Sequence, residues 1–139
     1  MTTELKPEFL RTIPHPPFKT MRRIRKRQGR CYELAGRVML NEDGSETFTL
    51  VHGEVSSGFA WRRIGHAWIE LPDGSVYDPV LNEFMTKAGF DSRAKPSKCQ
   101  RYTCMQAARL IGHAGHSGPW TDSERLAMRD HFNRRKAKV

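Results

Sequence analysis

The spacing of apolar residues changes period along the chain, and each change predicts an element. From Cys31 to Leu40 the apolar positions are Cys31, Leu34, Ala35, Val38 and Met39. Spacings of three and four put them on one face of a helix, with Arg37 outward. Gly36 interrupts it at a cost of about 1 kcal/mol against Ala, which predicts a strand crossing closely there. Asn41 and Asp43-Gly44 stop the helix. From Glu46 to Val55 the period falls to two, with Phe48 and Leu50 alternating against Thr47, Thr49 and Val51, the pattern of a strand. Ser56-Ser57-Gly58 breaks it, and Phe59, Ala60 and Trp61 follow as a loop.

A hairpin is predicted next. Leu71-Pro72-Asp73-Gly74-Ser75 carries Pro and Asp where a type I turn takes them, then Gly where a bulge needs a left-handed residue. Pairing Leu71 with Ser75 sets Glu70 opposite Val76, Ile69 opposite Tyr77 and Trp68 opposite Asp78. Asp78 then lies diagonal to His66 on one face. A two-residue loop would turn Asp78 to the other face.

Beyond it, residues 80–90 suggest a short helix ending near Gly89, and Asp91 to Lys98 a polar loop around Pro96. Thr103-x-x-Gln106 is a capping box for a helix running to about Ile111, with Met105, Ala108 and Ile111 inward. Gly112 to Pro119 reads as a loop. Thr121-x-x-Glu124 caps a last helix with Leu126, Ala127, Met128 and Phe132 apolar, and the basic tail 134–139 is expected to fray. At the other end, Pro7, Pro14, Pro16 and Pro17 make 1–20 an extended arm, pinned by Phe9, Leu10, Ile13 and Phe18.

At 139 residues the chain is expected to be one domain, 1–139, large enough to bury a core without staples. Three cysteines is an odd count, no secretory leader pattern is present, and no apolar run approaches the ~20 residues that span a bilayer. The expectation is a cytoplasmic protein with free thiols and no membrane contact. The net charge of +9 favours acidic partners, and much of it lies in Met21 to Arg30. Arg22, Arg23, Arg25, Lys26 and Arg27 form a candidate nucleic-acid surface, although no aromatic residue is interleaved for base stacking. The same cations would stabilise a thiolate at Cys31.

Cys31 enters a helix, where the N-terminus favours a thiolate and the backbone N–H groups can hold an oxyanion. His66 would be the base or imidazolium partner, and Asp78 would hold the second ring nitrogen. Gln28 is a candidate second oxyanion donor. Trp61, Trp68 and Trp120 are candidate substrate-binding residues. Cys104, at a predicted helix start, is a rival nucleophile without a strand-borne His–Asp pair. Cys99, Cys104, His113 and His116 depart from the usual zinc spacing, so no metal is assigned. His15, His52 and His131 read as surface or core.

Gly29-Arg30-Cys31-Tyr32-Glu33, with Gly65-His66-Ala67-Trp68-Ile69-Glu70 and Tyr77-Asp78-Pro79, resembles the transglutaminase-like branch of papain-like thiol enzymes. That branch includes transglutaminases, bacterial peptidases and arylamine N-acetyltransferases. The resemblance covers roughly residues 28 to 80. It implies an α+β papain-like core, the Cys-bearing helix on an antiparallel sheet with C-terminal helices outside. It also implies Cys31 as nucleophile, His66 as base and Asp78 as orienting acid. The short chain has no room for acyl-CoA or extra β-domains, which favours amide hydrolysis by a peptidase, isopeptidase or deamidase acting on protein or peptide through a thioester, without a cofactor. The alternative is a non-catalytic basic binding module for nucleic acid or acidic protein.

Overall fold

A computed structural model describes residues 13, 15–57 and 62–137, with 130–137 described by backbone alone. The fold is α+β. Helix α1 (Cys31–Asn41) is followed by β1 (Thr49–Ser56), β2 (Arg63–Glu70), β3 (Val76–Asp78) and β4 (Glu83–Met85). Then come α2 (Lys87–Ala94), β5 (Ser97–Thr103), α3 (Cys104–Ala114) and α4 (Asp122–Ala137). The strands form one sheet in the order β4-β3-β2-β1-β5, each neighbouring pair antiparallel. Among the described residues, no helix is long and apolar enough to cross a membrane.

Period-two alternation gives the sheet two apolar faces. On one, Leu50, Ala67, Ile69, Tyr77 and Phe84 pack with Leu34, Ala35, Val38 and Met39 of α1 and with Ala107 and Leu110 of α3. On the other, Val51, Val55, Trp68, Val76 and Met85 pack with Phe90 of α2. The arm closes the first face near β3 and β4. Phe18 is buried, its ring centroid 4.7 Å from that of Tyr77 and 5.0 Å from that of Phe84. The Ile13 N–H donates to the Phe84 carbonyl at 2.7 Å. Phe9 and Leu10 lie outside the described residues.

Several sequence expectations are corrected. Residues 80–82 turn the chain and 83–85 form β4, because the Asp78 carboxylate captures the N–H groups of Val80 and Leu81 and closes a turn after Pro79. The helix starts only after Thr86, whose Oγ1 accepts from the Gly89 N–H at 3.0 Å, and it runs to Ala94 through the expected loop. Strand β5 carries almost no hydrophobic signal because it is an edge strand with only Tyr102 buried. Helix α3 extends to Ala114, and it buries Ala107 and Leu110 while Met105 is exposed. Helix α4 runs to Ala137, past the expected start of fraying. Gly36 does face a close approach, made by the loop after α3 rather than by a strand: a Cβ there would meet Ser117 Oγ at 3.0 Å.

Phe18→Ala is expected to cost about 3–5 kcal/mol of unfolding free energy, measured by urea denaturation, as for other buried Phe truncations. A loss below about 1 kcal/mol would show that the arm is not part of the core.

Candidate active site

The turn between β2 and β3 forms as its residues dictate. The Leu71 N–H donates to the Ser75 carbonyl and the Gly74 N–H to the Leu71 carbonyl, both at 2.9 Å. Gly74 has φ +88°, a left-handed conformation that a side chain would strain. Asp73 Oδ1 accepts from the Ser75 N–H at 2.9 Å and its hydroxyl at 2.6 Å. This three-residue loop sets the register Ile69–Tyr77 and Glu70–Val76. Asp78 therefore shares a face with His66, and His66 Nε2 lies 3.0 Å from Asp78 Oδ2.

Asp78 is buried, and its other oxygen, Oδ1, accepts from the N–H groups of Val80 at 2.9 Å and Leu81 at 3.2 Å. Burial opposes the charge, but the bond and charge of His66 and these two N–H groups outweigh it, and the carboxyl is held below its usual range. Asp78 is thus an anionic acceptor, so Nε2 of His66 carries the donated proton. Burial also opposes a charged His66, yet Asp78 and Cys31, each by hydrogen bond and by charge, push its pKa up to about 9. With Nε2 given to Asp78, the ring nitrogen left for the Cys31 thiol is Nδ1. Cys31, His66 and Asp78 are thereby linked in series, the thiol through the imidazole to the carboxylate.

The N-terminus of α1 reaches His66 because the sheet leaves a gap. Strand β3 pairs with β2 only through Ile69 and Glu70, so Arg63 to Ala67 have no β3 partner. Here Tyr32 Oη lies so close to Gly65 that a Cβ would sit 2.6 Å from it. Glycine at position 65 is what lets the helix come this near. Gly29, at φ +78°, turns the chain into the helix. The Leu34 N–H donates to the Arg30 carbonyl at 2.9 Å, the first bond of the helical ladder. The N–H groups of Cys31, Tyr32 and Glu33 precede it, facing the end of the helix where anions are stabilised. Cys31 is only 8% exposed.

Arg27 fixes the segment before the helix. Its guanidinium donates to the Pro79 carbonyl at 2.9 Å and the Met21 carbonyl at 2.7 Å. One clamp therefore joins the chain ahead of Cys31 to the residue after Asp78. This corrects its place in the candidate nucleic-acid surface: it is a structural cation, while Arg22, Arg23, Arg25 and Lys26 are exposed. Sequence reasoning grouped Arg27 with its neighbours because nothing in the local pattern announces a partner fifty residues away.

The tryptophans are corrected as well. Trp68 is 1% exposed and stacks near Phe90 and the ring of His66, so it supports the imidazole from within the core. Trp120 is 4% exposed, stacked on His52 at 4.8 Å, with its indole N–H donating to the His116 carbonyl at 2.9 Å. Neither presents a surface to a substrate. Trp61 lies outside the described residues. Gln28 is exposed in the turn before α1. His52 is buried among Tyr32, Tyr102 and Trp120, and burial together with the charge of Arg125 pulls its pKa down to about 4, so it is a neutral core residue. The sequence did not single out Tyr32. Its only signal was its place between the cysteine and the glutamate.

The rival cysteines are placed elsewhere. The Cys104 thiol donates to the Met39 carbonyl at 3.2 Å, and Cys99 packs on the opposite face of the sheet with the second apolar cluster. The considered zinc set therefore does not converge, and no group of three or more metal-binding side chains is brought together among the described residues.

Two cavities bear on function. One, of about 410 Å³, is bordered by His66 and Asp78. The other, about 460 Å³, is lined by Arg101, Arg109, Arg125 and Arg129 between β5, α3 and α4 and touches none of the three linked residues. In comparisons with protein-family models, with curated proteins and with solved structures, nothing matches this chain.

The raised His66 pKa makes stability depend on pH. The folded value of about 9 lies above the ordinary value of about 6.5. Its contribution is full below the ordinary value and is lost as pH rises through the folded one. The stability difference between wild type and His66→Gln, from urea denaturation, is expected to shrink between pH 6.5 and about 9.5. A difference that stays flat across that range would contradict the assignment.

Proposed function

We propose that this protein is a cysteine-dependent amide-bond enzyme of the peptidase, isopeptidase or deamidase class, working through a thioester on Cys31. The observation that carries the reading is the buried His66–Asp78 pair, 3.0 Å between Nε2 and Oδ2, beside a cysteine at the N-terminus of a buried helix whose thiol acts on the same imidazole. This is the constellation that the transglutaminase-like resemblance calls for.

In this reading the thiolate attacks the amide carbonyl carbon and the Cys31 N–H donates to the oxyanion. His66 passes its Nδ1 proton to the leaving nitrogen as the C–N bond breaks, leaving a thioester and a free amine. Asp78 keeps the proton on Nε2 and so keeps Nδ1 as the transferring atom. Acylation removes the thiolate charge, one of the causes that hold a proton on His66. The ring becomes easier to keep neutral when it must take a proton from water. Water then adds to the carbonyl carbon, the C–S bond breaks, and the acid leaves while thiolate and imidazolium are restored.

The alternative binding reading rests on the exposed cations Arg22, Arg23, Arg25 and Lys26 and on the arginine-lined cavity. It calls for nucleic-acid or acidic-protein affinity that falls steeply with salt and ignores Cys31.

An activated ester tests the enzyme reading without a known substrate. Wild type mixed with p-nitrophenyl acetate is expected to release one equivalent of nitrophenol in a burst and to carry the acetyl group on the Cys31 peptide by mass spectrometry. His66→Ala is expected to slow the burst about 100-fold or more, the usual size of general acid–base effects. A folded wild type whose Cys31 stays unacylated would overturn the reading.

A further inference from the structure

The cleft of about 410 Å³ has the size of a small-ligand site. His66 and Asp78 border it and Cys31 does not, so it lies on the imidazole side of the thiol–imidazole pair. On the thioester reading above, the imidazolium gives its proton to the leaving nitrogen, so the leaving part of the substrate departs on that side. Six of the cleft's lining residues are apolar, Val55, Ile64, Val80, Leu81, Phe90 and Ala94, and besides the site's own pair Ser56, Ser57 and Arg93 are polar. Two of them, Ile64 and Leu81, are large hydrophobic side chains left 41% and 46% exposed. Lining a cleft beside the His66–Asp78 pair, they offer apolar surface to a ligand's apolar group. Ammonia, the leaving group of glutamine deamidation, has nothing to put there.

We propose that this cleft is the leaving-group subsite and that it takes an amine bearing an apolar side chain of leucine or phenylalanine size. The inference rests on the thioester reading and narrows it: the bond acted on joins an acyl group to an apolar amino-acid residue, which sets deamidation aside.

Microscopic reversibility gives the test, because an amine that attacks the thioester enters through the subsite by which the leaving amine departs. The amine nitrogen bonds to the carbonyl carbon, the C–S bond breaks, and the nitrogen's proton passes to neutral His66. The full chain is acetylated with p-nitrophenyl acetate and then divided among glycinamide, leucinamide and phenylalaninamide at equal free-amine concentration. The N-acetyl amides are quantified by mass spectrometry. Leucinamide and phenylalaninamide are expected to be captured about tenfold or more faster than glycinamide, the scale on which hydrophobic pockets discriminate. The variant I64T/L81S, changed only at two partly exposed walls, is expected to bring that ratio within about threefold. Acetylation of Cys31 with equal capture of all three amines would overturn this inference and leave the thioester reading standing. Absence of Cys31 acetylation would overturn both.

Discussion

The buried carboxylate of Asp78 is the group on which the rest of the site depends. A charge in that position needs several partners, because removing it from water is costly unless hydrogen bonds replace the lost solvation. Its two oxygens serve different parts of the fold. Oδ2 takes His66 from the neighbouring strand, and Oδ1 takes two backbone N–H groups from the turn that follows. The same group therefore ends β3, reverses the chain into β4 and sets which nitrogen of His66 faces the thiol. Arg27 closes the arrangement from outside by holding the carbonyl of Pro79 and the segment leading to Cys31. Local backbone structure and the electrostatics of the site are one construction here.

The gap that admits α1 follows from the short length of β3. Three residues suffice to place Asp78, and they leave Arg63 to Trp68 of β2 without a partner on that side. Gly65 lies in this open stretch, and Tyr32 fills the space its missing side chain leaves. His66 is thus approached by the helix N-terminus across an exposed strand edge, while Trp68, two residues on, is sealed in the core beneath it. One strand passes from open edge to packed core within its own length.

The parts of this arrangement that were legible in the sequence are those fixed by short-range rules. The three-residue turn decided the register, the register decided the face of Asp78, and the spacing of three and four decided which side of α1 is buried. Both capping boxes carry enough information in four residues to be read directly. What escaped depends on distant partners. Strand β5 is an edge whose polar residues gain their conformation from β1, and β4 exists because Asp78 captures the turn before it. Arg27 looks like one more surface cation until its two carbonyl partners are in view. The tryptophans invited a role at a binding surface because their size suits one, but size also makes them core anchors, and only burial distinguishes the two. The pairing of His66 with Asp78 was foreseeable, whereas the cleft beside it, built from both ends of β2's neighbourhood and from α2, was not.

In the proposed reaction His66 and Cys31 act as one proton-coupled pair. The most direct measurement is the pH dependence of carboxymethylation at each cysteine, followed by peptide mass spectrometry in wild type and His66→Ala. Cys99 and Cys104 serve as references in the same molecule. Cys31 alone is expected to react rapidly, well ahead of the two reference thiols, and His66→Ala is expected to abolish that advantage. A folded protein in which Cys31 reacts no faster than the other two thiols, or equally fast without His66, would contradict it.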